Sequence, residues 1–293
     1  IIPWNFPMNM VGWKCAPALA AGNTVVLKPA LETPLTAVRI GELALEAGLP
    51  PGVLNIVPGR GSVAGEALVR HPLVDKISFT GSTEVGQRIM REAAGTVKKL
   101  TLELGGKSPN IVFADADLEA AVRGASTGIF YGKGEVCAAG SRLLVEKSIH
   151  AEFVAKLVER AKKLVPGDPL DPKTRLGSLV NEKQMKTVLG YIETGVKEGA
   201  RIVAGGQRQP VNGKGWFVQA TVLDGVDNRM KVAQEEIFGP VLAVIPFDDV
   251  EDAVRMANDN PFGLAAGVWT RDAKKAHAVA RRLRAGTVWI NMY

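Results

Sequence analysis

The sequence predicts an α/β protein built on parallel β-strands and divided into two domains. Three observations carry that expectation. From the start of the chain to residue 106, β-branched runs alternate with segments of helical periodicity, a pattern that calls for a parallel sheet with crossover helices. Short glycine-rich turns, PGRG, TGS and LGG, close the strands of that stretch, where ligands bind in open α/β sheets. After GGKSP the alternation continues at longer and less even spacing, which reads as a second α/β domain. The domains are therefore drawn at residues 1–106 and 107–293.

The elements follow in order. MVGWKCAPALAAG is an apolar helix carrying Cys15, in a segment where a core cysteine is expected. NTVVLK (23–28) is a strand, TPLTAVRIGELALEAG (33–48) a helix closed by glycine, and VLNIVPG (53–59) a strand. SVAGEALVRH, KISFTG, STEVGQRIMREAAG and KKLTLELGG continue the alternation. In the second domain come NIVF, a helix near 117–131, the strand SRLLVE, a charged helix at 149–164 and the turn-rich link VPGDPLDPKT. Then follow a helix at 181–199, strands in RIVAG, WFVQATVL and EEIFGPVLAVIPF, a helix from 249, GVWT, a helix from 273, and TVWINMY. There is no internal repeat and no low-complexity segment.

Composition excludes several classes. With 46% hydrophobic and 23% charged residues over 293 positions, the chain can bury a large core. No run approaches the roughly 18 to 20 apolar residues that cross a bilayer, and IIPWNFP lacks the basic start of a signal peptide. A soluble, cytoplasmic protein with no membrane partner is expected. The formal charge is +6, but Lys and Arg are interleaved with Glu and Asp, and only 6% of residues are aromatic; no nucleic-acid partner is expected. The two cysteines, at 15 and 137, and the three scattered histidines make neither a zinc site nor a disulfide framework.

Cys137, in GKGEVCAAGSR, is followed by Ala138, Ala139 and Gly140, small enough for a substrate to approach. On spacing alone it is either a nucleophile or a buried structural cysteine. Glu103 ends a strand in LTLELGGK, where apolar flanks would raise its pKa toward that of a general base; it could equally be held in a buried hydrogen bond. Asn5, between two prolines expected to hold PWNFP extended, is a turn-former or an oxyanion donor. A domain boundary near 106 would put Glu103 and Cys137 on either side of an interdomain cleft.

Taken together, PWNFP, VVLKPA, PGRGSVAG, FTGSTEVG, LELGGKSPNIVF, GEVCAAGSR, EEIFGPV, NPFGLAAGVWT and GTVWIN closely resemble, in order and spacing, the aldehyde dehydrogenase superfamily. The resemblance runs from the first residue to the last. It implies a Rossmann-like nucleotide-binding domain, incomplete here, followed by a catalytic domain, and oxidation of an aldehyde to a carboxylic acid with NAD or NADP. In that chemistry Cys137 attacks the aldehyde, Asn5 and the Cys137 backbone N–H hold the oxyanion, and Glu103 activates the water that hydrolyses the thioester. Lys14 would sustain the water network. Phe6, Met8, Asn9, Met10, Trp13, Phe130 and Val136 would line a mostly apolar substrate channel.

The resemblance also assigns the cofactor residues. Lys28 would bind the adenosine ribose, and the amides of FTGS, with Gly81 and Ser82 at a helix start, the pyrophosphate. Gly59 and Gly61 would allow close approach of the adenine end, in a turn that does not fit GxGxxG. Glu236 would grip the nicotinamide ribose and Phe238 back its ring; Trp4 and Leu104 complete the set. Three departures stand out. Leu31 replaces the glutamate that many NAD-preferring members carry three residues after the lysine, with Glu32 one step later. Gly132, Lys133, Gly134 and Glu135 stand where an amide-rich NQGQ is frequent. Family members are also longer, with more chain before PWNFP and after WIN, so a truncated member is expected, one that self-associates into a homo-oligomer. Three competing readings remain: a non-catalytic nucleotide-binding fragment, a cofactor-independent cysteine esterase or acyltransferase, and a coenzyme-A-acylating relative, the last disfavoured by Glu103.

Overall fold

A computed structural model describes residues 1–293. The chain divides into two compact units, Ile1–Leu104 and Gly105–Tyr293, and is α/β with predominantly parallel sheets.

In the first unit, α1 (Pro7–Ala20), β1 (Val25–Leu27), α2 (Leu35–Glu46) and β2 (Leu54–Ile56) are followed by α3 (Glu66–Arg70), β3 (Lys76–Thr80), α4 (Thr83–Ala94) and β4 (Lys99–Glu103). β1 pairs in parallel with β2, and β3 with β4. The opening dipeptide joins the two pairs: Ile2 N–H donates to the Lys28 carbonyl (3.1 Å), and Thr80 N–H donates to that of Ile1 (3.2 Å). Ile2, Met10, Val11, Cys15, Leu27 and Ala37 form one small core, and Val69, Ile77, Phe79 and Ile89 another.

The second unit contains β5 (Pro109–Val112), α5 (Leu118–Phe130), β6 (Arg142–Glu146), α6 (His150–Lys162), α7 (Glu182–Lys197), β7 (Arg201–Ala204) and β8 (Thr221–Asp224). It ends with α8 (Lys231–Gln234), β9 (Val241–Phe247), α9 (Val250–Asn258), β10 (Ala265–Trp269), α10 (Ala273–Ala280) and β11 (Thr287–Ile290). The strands form one seven-stranded sheet in the order β11-β10-β5-β6-β9-β8-β7, parallel except for the β7 edge. Strands buried on both faces read as continuous apolar runs, as RLLVE and VLAVIPF do. Alternate residues of β9 accordingly split between two cores: Val241, Ala243 and Ile245 pack with α7, α9 and α10, whereas Leu242 and Val244 pack with α5 and α6. Side-chain caps fix several helix starts. Ser82, Asp117, Asn181, Asp249 and Asp272 each accept from the backbone N–H three residues on.

The structure departs from the sequence-based elements at four places. SVAGEALVRH is a π-turn at Gly61–Gly65 before the short α3, because two glycines weaken the α-helix there. In WFVQATVL the sheet strand begins only at Thr221, and β8 runs on one residue past the segment; Phe217 and Val218 are buried in a hairpin-like excursion in which Gln209 N–H donates to Phe217 and Gln219 N–H to Gln207. The four-residue α8 was not expected. PWNFP is not extended: residues 4–6 bend, and Pro7 takes the first helical position of α1, where its missing N–H costs nothing.

Candidate functional site

In the first unit the candidate residues gather at the ends of β1, β3 and β4 and on α1. Asn5 is half-buried in the bend before α1. Lys14, next to the buried Cys15 on α1, donates from Nζ to Ser78 Oγ on β3 (3.0 Å). Burial lowers its pKa, and the carboxylate of Glu103 pulls it back up, so Lys14 and Glu103 share one electrostatic environment. Glu103 itself is exposed. This corrects the expectation that its apolar flanks enclose it: in an extended strand Leu102 and Leu104 point opposite to Glu103, and both pack into the β3–β4 core.

Lys28 is 5% exposed, with Nζ donating to the Pro29 carbonyl (2.8 Å). Burial lowers its pKa and Glu32 opposes that. Its stem passes Gly65 of the π-turn. Gly59 and Gly61 flank Arg60 at the turn's entrance. Gly81 N–H donates to the Glu103 carbonyl (3.0 Å), and Ser82 caps α4 through Val85 N–H (3.4 Å). Leu104 packs over Gly86 of α4, and the Trp4 carbonyl accepts from Thr33 Oγ1 (3.4 Å). Of the channel candidates, Trp13 and Met8 are exposed, Asn9 likewise, and Phe6 is half-buried. Met10 differs from expectation: it is enclosed in the core, its sulfur accepting from Thr80 Oγ1 (3.8 Å).

In the second unit Cys137 is half-buried on the loop between α5 and β6, whereas Cys15 is 4% exposed. The loop's backbone is tightly placed. A Cβ at Gly106 would come within 2.2 Å of the Cys137 carbonyl oxygen. Tyr293 Oη donates to the next carbonyl, Ala138 (2.8 Å), and Gly140 N–H donates to Gly128 (3.0 Å). Ahead of the cysteine, Gly132, Lys133 and Gly134 are all left-handed, and Glu135 is 1% exposed. Val136 packs beside the α5–α6 core; Phe130 is a member of it, 3% exposed, and so presents no surface to a channel.

Glu236 Oε1 accepts from Gly106 N–H (3.1 Å). Burial raises its pKa, opposed by that N–H and by Lys107. Phe238 follows with φ +55°. Lys107 and Arg142 lie within motifs quoted above, but sequence reasoning assigned them nothing. Lys107 is fully enclosed and its pKa falls to about 7, chiefly through burial. Arg142 carries three side-chain hydrogen bonds, to Asn228 Oδ1 and the Met256 and Ala257 carbonyls, tying β6 to α9. Gln184 and Tyr293, also missed, had no local signal, since their partners lie far along the chain. In chemical terms the units present a semi-exposed thiol on a fixed loop, an exposed carboxylate beside a half-buried lysine, and a capped helix start.

A model described as "Aldehyde dehydrogenase family" matches residues 1–293. Aldehyde dehydrogenase 1A1 of Oryctolagus cuniculus is 52% identical across the whole of this chain, which covers 59% of that protein. Retinal dehydrogenase 2 of Homo sapiens is also 52% identical, with 56% of it covered. An indole-3-acetaldehyde dehydrogenase solved with NAD+ superposes with a TM-score of 0.98 at 54% identity, over 99% of this chain and 59% of that one. The aldehyde dehydrogenase KauB from Pseudomonas aeruginosa gives 0.98 at 55% identity, with the same shares covered. The chain thus spans little more than half the length of the relatives it matches.

Proposed function

Because the chain belongs to the aldehyde dehydrogenase family, we propose that it carries the chemical centre of an NAD(P)-dependent oxidation of aldehydes to carboxylic acids. The observation that carries this reading is the contrast between the two cysteines. Cys15 is core, while Cys137 keeps partial exposure on a loop whose backbone is packed against Gly106.

The donor set suits a dinucleotide. Lys28 offers a buried ammonium for ribose hydroxyls, the capped start of α4 at Ser82 offers backbone amides for the pyrophosphate, and Glu236 offers a carboxylate for the second ribose. Phe238 supports the nicotinamide end. Held by these residues, NAD(P) would supply the hydride acceptor for the oxidation. The remaining steps belong to the chain. The Cys137 thiolate adds to the aldehyde carbon, forming a C–S bond and an oxyanion that the Asn5 amide and the Cys137 N–H hold. Loss of hydride leaves a thioester. Glu103 takes a proton from water as its oxygen attacks the acyl carbon, and the C–S bond breaks to release the carboxylic acid and the Cys137 thiolate. Lys14, linked electrostatically to Glu103, holds charge beside that water. The domain roles follow: residues 1–106 bind nucleotide and 107–293 carry the nucleophile.

Two variants test the assignment. Cys137→Ala should abolish oxidation. Glu103→Gln should give one stoichiometric burst of reduced cofactor and then little turnover, because hydride transfer precedes the water step. Full steady-state activity in Cys137→Ala would sink the mechanism.

A further inference from the structure

Phe238 holds a left-handed backbone that side chains rarely adopt, and one residue clasps it there. Gln184 Nε2 donates to both the Ile237 (3.1 Å) and Phe238 (2.8 Å) carbonyls. Gln184 lies in the first turn of α7, and its own N–H donates to the capping Asn181 Oδ1 (2.9 Å). One residue before that cap, Val180 N–H donates to Glu135 Oε1 (3.0 Å). Glu135 stands two positions ahead of Cys137, and its second oxygen lies 3.1 Å from Lys133 Nζ. The same two loops also touch directly: a Cβ at Gly134 would stand 2.0 Å from the Gly239 carbonyl oxygen.

This gives the GKGE segment a physical account. Gly132 and Gly134 let the chain turn left-handed on either side of Lys133, which brings the lysine back over the buried carboxylate of Glu135. The carboxylate in turn satisfies a backbone N–H at the start of α7. A buried carboxylate without such partners would be strongly unfavourable, so the pair and the N–H form one unit.

We propose that Glu135 and Gln184 are positioning residues, which brace the Cys137 loop and the Glu236–Phe238 loop against one helix start and so hold nucleophile and nicotinamide grip in register. The proposal rests on the functional reading given above for those two loops. Neither residue needs to touch substrate. Their contribution is geometric, and displacement of about 1 Å at a reacting centre costs on the order of 100-fold in rate.

The test is a double-mutant cycle on the full chain with Glu135→Leu, Gln184→Leu and the pair, beside Glu135→Gln. Burst rates are read with NAD+ and propanal, Cys137 alkylation with iodoacetamide, and folding with urea. Each single leucine variant should slow the burst about 10- to 100-fold with the aldehyde KM little changed. The double variant should be no slower than the worse single one, because either break releases the register. Glu135→Gln, whose amide oxygen can still accept from Val180 N–H, should keep most of the rate. Where Glu135→Leu fails to fold, Gln184→Glu, which replaces the two-pronged donor by an acceptor, takes its place. Wild-type burst rates in folded variants, or losses that add in the double variant and track stability alone, overturn the proposal. A wild-type chain that gives no burst counts against the functional reading instead. The brace is then judged by alkylation alone, which Glu135→Leu should change and Lys186→Met, on the exposed side of α7, should not. Equal alkylation in all variants overturns it.

Discussion

Lys107, buried, and Glu236, half-buried, are groups of opposite charge whose costs run in opposite directions with pH. In the folded chain Lys107 loses its proton near pH 7, well below its ordinary value of 10.5. Between those values the unfolded chain binds the extra proton, so this group makes stability rise with pH from about 7 to 10.5. Below about 7 the folded state must bury the charge. Lys107→Met should therefore stabilise the chain at pH 6 by about 1–4 kcal/mol, with the gain shrinking toward pH 10; urea midpoints at the two pH values measure it. Glu236, whose pKa is raised by burial, acts the other way, holding its proton longer in the folded state, so its share of stability falls as pH rises above the ordinary carboxylate range. In the first unit, Leu31 is 54% exposed and Glu32 already biases Lys28. A carboxylate at 31 would bond ribose hydroxyls and repel a 2′-phosphate. Leu31→Glu should raise the NAD-over-NADP ratio of kcat/KM on the order of tenfold, the weight of one charged hydrogen bond. An unchanged ratio would mean that Leu31 does not face the ribose.

At the scale of elements, the Cys137 loop is held by what α5 and β10 leave open. The Tyr293 ring fills a cradle where Cβ atoms at Gly128, Gly140 and Gly267 would come within 2.6–2.8 Å of it, and its hydroxyl reaches Ala138. Tyr293→Phe keeps the ring and loses the bond, at about 1 kcal/mol; Gly128→Ala forces the ring out and should cost about 1–3 kcal/mol and slow Cys137 alkylation. Denaturant unfolding and iodoacetamide kinetics on both variants check this. Elements were legible wherever burial leaves a periodic trace: RLLVE and VLAVIPF read as strands because both faces are covered. The limits of β8 were not, because Phe217 and Val218 are as buried as a strand without entering the ladder. For the candidate site, motifs pointed to Cys137, Glu103 and Lys28, but what grips their loops was invisible. Glu135 bonds Val180, Gln184 bonds Phe238, and Arg142 bonds Ala257; such pairs are made by the fold, and no local spacing encodes them. Met10 and Phe130 show the converse, since an apolar residue near a motif looks alike whether it lines a channel or fills a core.

Across the whole chain, apolar burial is unevenly shared. In the first unit two small cores centred on Val11 and Phe79 lie under strands of three to five residues, while Trp13 (71%), Leu35 (79%), Leu73 (83%) and Val97 (88%) are exposed. The second unit packs helices on both faces of a seven-stranded sheet, and β5, β6 and β9 are almost wholly covered. Stability should follow burial, so the first unit should unfold at lower urea than the second. Trp4 and Trp13 report on one, and Trp216, Trp269 and Trp289 on the other. In hydrogen exchange, Val25–Leu27 and Leu54–Ile56 should open well before Leu143–Val145 and Val241–Ile245. A ligand that binds only the folded form stabilises it by about 2.7 kcal/mol at a hundredfold excess over its Kd. If Lys28 and the start of α4 hold the dinucleotide, NAD+ should therefore raise the first transition and slow exchange at β1 and β3. One transition shared by all probes would show that the first unit does not unfold by itself, and a first transition indifferent to NAD+ would remove the cofactor assignment from Lys28 and Ser82 while leaving Cys137 untouched.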